Sequence, residues 1–230
     1  MSLEAISIII PVLNEAKQLP KLLDIQNAAS GVEIIVVDGG SQDETVEIAL
    51  AKGVKLVQSE AGRAIQMNTG AEIATGDILL FLHADTQLPD QFDLMIRETV
   101  SNPTTIAGAF ELKIDADLPG LRWIERGVNW RSRFLQMPYG DQAIFLRRDV
   151  FKKLGGFPEL PIMEDFEWVR TLRQHGTISI VPASVITSGR RWQKLGVLRT
   201  TLINQLVILA YFLGVSPYRI RQWYRTGLKR

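Results

Sequence analysis

Three apolar runs in the first third of the chain each stop at a polar turn. Ser7-Ile8-Ile9-Ile10-Pro11-Val12 leads into Leu13-Asn14-Glu15, and Ile34-Ile35-Val36-Val37 into Asp38-Gly39-Gly40-Ser41. Ile78-Leu79-Leu80-Phe81-Leu82 leads into His83-Ala84-Asp85. Runs this short, rich in branched residues and lacking polar alternation, predict strands buried on both faces. Helical stretches are expected at 14–28, from 43 to about 52 and at 63–74, with a short strand at 54–58. Asp43 or Ser41 can cap the second of these helices, and Pro89 suits the first turn of another. This alternation predicts a parallel, doubly wound α/β sheet. Carboxylates just past such strands converge on one edge, where open α/β folds bind ligands.

The second half reads differently. Residues 106–114 alternate like a partly exposed strand, and 119–134 form an amphipathic stretch rich in Trp and Arg. A strand is expected at 142–146, a short helix at 149–154, a helix at 165–175 closed by Gly176, and a strand at 178–181. A loop carrying Arg190-Arg191-Trp192 follows a further strand and loop at 185–189. Residues 196–214 read as an apolar helix followed by a basic tail. This divides the chain into a domain at 1–195 and a segment at 196–230 packed on it.

The 230 residues contain no cysteine, which removes disulfides and thiolate chemistry and fits a reducing cytosol. The apolar run at 6–12 is too short for a secretion signal and has no basic region before it, so a cytoplasmic location is expected. Net charge is +1, but no Asp or Glu occurs from Trp168 to Arg230, where eleven Lys and Arg lie. Residues 1–167 therefore carry −10. This asymmetry points to a polyanionic partner for the C-terminal part, or to pairing between the halves.

The order of the motifs resembles family 2 glycosyltransferases of the GT-A fold, over residues 5–195. Ile8 through Glu15 is similar to the opening strand and nucleotide loop, and Val37 through Thr45 to an Asp-Asp-Gly-Ser-Thr-Asp motif. Gly62-Arg63 through Ala71 is similar to an Arg-Asn-x-Gly segment, and Gly76 through Asp85 to the strand that enters Asp-x-Asp. Gly155-Gly156-Phe157 followed by Glu164-Asp165 matches the acceptor-side motifs. The departures are Gly39 for a second Asp, Met67 for an Arg, and His83 for the first Asp of Asp-x-Asp. With Arg190-Arg191-Trp192, they resemble a short, stand-alone bacterial subgroup.

The resemblance implies inverting transfer of a sugar from a UDP or GDP donor to an unidentified hydroxyl acceptor. Pro11, Leu13, Glu15 and Asp38 would hold the nucleoside. Arg63, Arg190 and Arg191 would assist the diphosphate by bidentate hydrogen bonding. Asp85 would hold Mg²⁺ or Mn²⁺, since one carboxylate plus phosphate oxygens and water suffices for Mg²⁺. An imidazole ligand at His83 would favour Mn²⁺, although His83 can equally bind ribose or phosphate. Asp165 would be the base that takes the acceptor proton. Glu164, Trp192 and Gly140 would shape the acceptor side.

Other readings are weaker. A nucleotidyltransferase needs a glycine-rich basic loop after the first strand, and 11–15 has none. A glycosidase would also use two carboxylates, leaving the nucleotide motifs unexplained. A non-catalytic nucleotide-binding protein on a decayed scaffold draws on His83 and Gly39. The basic C-terminus comes with no nucleic-acid motif, so no nucleic acid is expected as partner. The apolar stretch at 202–213 is too short to span a bilayer; it can lie on the inner face of a membrane, pack on the sheet or form a homodimer.

Overall fold

The computed structural model describes residues 3–27 and 29–227, without the side chains of 26, 27 and 225–227. In chain order its elements are β1 (Ile6–Val12), α1 (Leu19–Leu23), β2 (Val32–Asp38), α2 (Thr45–Ala51), β3 (Lys55–Gln58), α3 (Arg63–Ile73) and β4 (Ile78–Phe81). β5 (Thr86–Gln87), α4 (Phe92–Ser101), β6 (Thr105–Asp115), α5 (Leu121–Leu135), β7 (Phe145–Arg147) and α6 (Arg148–Lys153) follow. The chain ends with α7 (Glu164–Arg173), β8 (Thr177–Ser188), α8 (Arg190–Leu195), α9 (Val197–Phe212) and α10 (Pro217–Gly227). Ala28 of the first expected helix, and Lys229 and Arg230 of the basic tail, lie outside the described residues.

One eight-stranded sheet runs in the order β3-β2-β1-β4-β7-β6-β8-β5. The apolar runs are continuous because successive side chains enter two different cores. Ile8, Ile10, Ile34, Val36, Ile78 and Leu80 face one core, closed by α1, α2 and α4. Ile9, Ile35, Val37, Leu79 and Phe81 face the other, closed by α3, α6 and α7.

β3, β2, β1 and β4 are parallel, as expected. Beyond β4 the sheet is mixed, within the mainly parallel α/β architecture expected. β7 runs antiparallel to β4 and β6, β6 pairs with β8 in parallel, and β5 pairs with β8 antiparallel. The cause is α5, which does not cross the sheet. Its Asn129 bonds both backbone groups of Leu112, at 2.8 and 3.1 Å, and its Glu125 accepts from Ile114 N at 2.6 Å. The helix thereby caps the open edge of β6 and returns the chain to the end it left.

Local corrections have identifiable causes. The first helix is only α1 with a following 3-10 turn at Asp24–Asn27, because residues 14–16 bond to the β2–α2 loop instead of coiling. Gly140–Gln142 forms a 3-10 turn ahead of a shorter β7. The strands expected at 178–181 and 185–189 are one strand, β8, carried past Pro182 by an irregularity in its pairing with β6. Arg190-Arg191-Trp192 begins α8 rather than sitting in a loop, and the basic tail is helical in α10.

Candidate active site

The parallel strands end in register: Val12 lies opposite Asp38, and Asp38 opposite Gln58. Their loops therefore meet at one edge, and they bond to each other there. Asn14 N donates to Ser41 Oγ (2.9 Å), Glu15 N to Thr45 Oγ1 (2.9 Å) and Ala16 N to Asp43 Oδ2 (3.2 Å), while Gln42 N donates to Asn14 Oδ1 (2.8 Å). Asn14 takes φ 59°, a left-handed conformation that asparagine tolerates. Asp38 is buried, and its carboxylate accepts from Gly40 N (3.0 Å) and Ser41 N (3.1 Å), so it holds its own turn. Pro11 is partly buried at the end of β1, and Leu13 is 44% exposed beyond it.

Ser188 N, at the end of β8, donates to Asp85 O at 3.0 Å, which sets the start of α8 beside Asp85. Arg190 Nη2 then lies 3.1 Å from Asp85 Oδ2 and 3.5 Å from Glu15 Oε2. Burial pushes the Glu15 carboxyl up, against the pull of the Arg190 guanidinium. Arg191 turns away: its guanidinium stacks on the Tyr224 ring of α10 at 4.3 Å and burial lowers its pKa. Trp192 packs partly buried against the first core. The cation available at this edge from that motif is thus Arg190.

A second cluster lies around Asp165. Asp165, in the first turn of α7, accepts from Gly140 N (2.8 Å) through Oδ2 and from Phe166 N (2.8 Å) through Oδ1. A Cβ on Gly140 would stand 3.1 Å from His83 Nε2 and 3.2 Å from Asp165 Oδ2, so a side chain there would crowd both. Burial, with Arg63 nearby, pulls the His83 pKa down to about 3, so the ring is neutral at ordinary pH. Glu164 is buried, its pKa raised by that burial, and Arg63 Nη1 reaches it at 3.3 Å. Asp141 Oδ1 is buried without a hydrogen-bond partner among the described residues, and desolvation lifts its carboxyl to about 6 despite Arg131.

The backbone is strained at both ends of this cluster. Ala143 (φ 51°) follows the Gly140–Gln142 turn, and Met163 (φ 71°) precedes Glu164. Left-handed residues other than glycine and asparagine cost about 1–3 kcal/mol and persist where the surroundings impose them. Gln142 imposes the first turn: it is buried, accepts from Ser132 Oγ (2.7 Å) and donates to Phe110 O (2.8 Å).

Residues 7–155 match the family described as Glycosyl transferase family 2. The chain belongs to that family. A Mycobacterium bovis PGL/p-HBAD biosynthesis glycosyltransferase is 34% identical over 174 residues, covering 68% of this chain and 64% of the relative. Glycosyltransferase AglE of Haloferax volcanii is 37% identical over 195 residues, covering 76% of this chain and 63% of the relative. The chain thus spans just under two thirds of the length of these curated relatives. Among solved structures, the mannosyltransferase PcManGT from Pyrobaculum calidifontis, in complex with GDP-Man and Mn²⁺, superimposes with a TM-score of 0.67 at 19% identity. It covers 99% of this chain, and this chain 70% of it. S. aureus TarS 1–349 in complex with UDP gives 0.65 at 19% identity, over 80% of this chain and 60% of that one. These likenesses show the GT-A fold, here with a C-terminal helical segment.

Family membership puts the metal question to Asp85 and His83. Among the described residues no three His, Asp or Glu side chains are grouped to hold an ion. Asp85 is paired with Arg190, and His83 Nε2 borders Gly140. This donor set fits a divalent ion only if a diphosphate supplies further oxygen ligands.

Two family-motif residues have structural tasks that sequence reading missed. Gln66 is buried and donates to Val12 O and Val37 O, both at 2.8 Å, joining the ends of β1 and β2. A Cβ on Gly39 would lie 3.1 Å from the Gln66 amide, so glycine there is in keeping with that bridge. Asn68 bonds both backbone groups of Phe157 at 2.9 Å, fastening the third motif to the Gly-Gly-Phe motif. An uncharged residue among buried strand ends was the available signal for Gln66.

Proposed function

We propose that this chain transfers a glycosyl group from a UDP- or GDP-linked donor to a hydroxyl acceptor, with inversion at the anomeric carbon. The observation that carries this reading is Asp165: its carboxylate is fixed by two backbone N–H groups and packed against Gly140 and His83, on the sheet edge where the strand-end loops meet. An acceptor hydroxyl brought to this carboxylate passes its proton to Asp165 while its oxygen bonds to the anomeric carbon. The bond from that carbon to the diphosphate oxygen breaks on the opposite face, and the nucleoside diphosphate leaves. Inversion follows from this single displacement.

Arg190 and Arg63 are the cations that face the diphosphate, and Asp85, with His83 as a nitrogen donor, is the group that would hold Mg²⁺ or Mn²⁺. When bound, such an ion neutralises charge that develops on the leaving group. Asp38 and the clasped loops at 13–16 and 39–45 form the nucleoside wall. Asp141 Oδ1, buried and unpartnered, accepts a hydroxyl of a bound sugar. Leaving that acceptor unmatched costs about 1–3 kcal/mol, which a substrate hydroxyl would offset.

The first test is thermal-shift titration with UDP, GDP, TDP and CDP, each with and without Mn²⁺ or Mg²⁺. One nucleotide should stabilise the protein, more with metal than without, by about 2.7 kcal/mol at a hundredfold excess over Kd. No shift with any combination would overturn the reading. Binding without turnover across an acceptor panel would favour a binding protein on a decayed transferase scaffold.

A further inference from the structure

We propose that the outer face of α9, with α10, is a docking surface for an anionic membrane. A helix at a protein surface normally buries one stripe and turns polar residues outward. α9 is apolar on both sides. Its inner side packs Val207, Ile208 and Tyr211 against the second core, and the Tyr211 and Phe212 rings lie 5.9 and 5.6 Å from that of Phe166. Its outer side shows Leu198, Leu202, Leu206 and Leu209 to solvent, at 87, 60, 53 and 54% exposure, and Phe212 at its edge and Leu213 just past its end are exposed as well. The spacing of the leucines within α9 keeps them on one face, interrupted by exposed Gln205, and a largely apolar exposed face of this kind marks a contact surface.

Charge decides what the face contacts. No acidic residue occurs from Trp168 to the C-terminus, and α10 continues the surface with Arg219, Arg221 and the exposed aromatics Tyr218 and Trp223. Leucines flanked by arginines and interfacial aromatics match an anionic lipid surface, where the apolar stripe enters the acyl boundary and the guanidiniums meet phosphates. A second copy docking face to face would bring two basic surfaces together. Nucleic acid would satisfy the arginines and leave the leucines wet.

The mode of contact follows from length. α9 has sixteen residues. At about 1.5 Å per residue it falls short of the roughly 30 Å hydrocarbon layer. No helix among the described residues is long and apolar enough to cross a membrane. α9 therefore lies in the plane of the interface. It touches Phe166, the residue after Asp165, so docking holds the acceptor side of the site close to the lipid surface.

The test is flotation of the full chain with vesicles of phosphatidylcholine alone and with about 30 mol% phosphatidylglycerol. The expected result is recovery with the anionic vesicles, weakened by salt. The triple variant Leu202→Gln, Leu206→Gln, Leu209→Gln should lose binding at least roughly tenfold with an unchanged melting temperature, because these side chains are exposed. Arg219→Ala with Arg221→Ala should lose severalfold and flatten the salt dependence. Light scattering and nucleotide thermal shifts on the same variants separate this proposal from the transferase reading, since neither monomer mass nor nucleotide binding should change. Recovery with neither vesicle, recovery indifferent to lipid charge, or a dimer that the leucine changes dissociate would each overturn it.

Discussion

The two sides of the sheet edge are finished to different degrees. On the nucleotide side, polar groups are matched within the protein: Asp38 is filled by Gly40 and Ser41, the loops at 14–16 and 41–45 bond each other, and Arg190 neutralises Asp85. Around Asp165, the proposed acceptor side, Asp141 Oδ1 has no partner among the described residues, Glu164 is buried with its pKa raised, and Ala143 and Met163 are held in strained conformations. The first side is a preformed wall, and the second stores unmet bonding capacity. A buried acceptor without a partner, such as Asp141 Oδ1, is where a ligand hydroxyl would gain most.

Breaking the acceptor side should leave the wall intact. Asp165→Asn keeps the shape and removes the proton acceptor, so turnover should fall by about 10³ or more while nucleotide affinity stays within a few fold. Single-turnover rates and nucleotide titration on one preparation check both halves, and an active variant would refute the assignment. Gly140→Ala probes the packing against Asp165. Its methyl would sit 3.1 Å from His83 Nε2 and 3.2 Å from Asp165 Oδ2, so kcat should drop by about 10–100-fold through misplacement of Asp165. Nucleotide affinity should hold; a parallel loss would mean the two sides are one unit.

Arg190→Ala attacks the wall. It leaves Asp85 and Glu15 without their shared cation, and nucleotide affinity should fall roughly tenfold. Arg190→Lys should restore part of it, since a lysine keeps the charge and loses the fork. Isothermal titration with and without Mn²⁺ reads the result. Unchanged affinity would make the Arg190 contacts a feature of the empty edge only.

The two sides were also unequally legible. β1, β2 and β4 could be read from composition because strands buried on both faces have no alternative but apolar runs, and the carboxylates at their ends follow from connectivity. The β7 strand was read at 142–146, but its antiparallel direction was not, since it depends on Glu125 and Asn129 of α5 capping β6, a contact that local pattern does not encode. Glu164 and Asp165 were legible as a helix-start pair. Their setting was not, since Asp165 is placed by Gly140, twenty-five residues away, and Arg190 reaches Asp85 across 105 residues. Arg190 and Arg191 look interchangeable in a line of sequence. One register step around α8 sends the first to the edge and the second onto Tyr224.

The mildest probe is Asp141→Asn, read by stability across pH. Burial raises this carboxyl from an ordinary 3.8 to about 6, so the folded protein binds its proton more tightly than the unfolded chain does. The sign follows from linkage: the folded state bears no penalty below the unfolded value, gains one as pH rises through that window, and carries it in full above the folded value. Asparagine cannot ionise and escapes it. The variant should match the parent near pH 3.5 and exceed it near pH 8 by about 3 kcal/mol, a rise of roughly 6–12 °C in melting temperature for a domain this size. It should also bind donor or acceptor less well, because an amide presents one acceptor oxygen where the carboxylate presents two. A more stable protein with a raised KM would place Asp141 among the groups held unmatched for a ligand. A variant less stable near pH 8 would show instead that Arg131 needs the charge, and would move Asp141 to the self-satisfied side of the comparison.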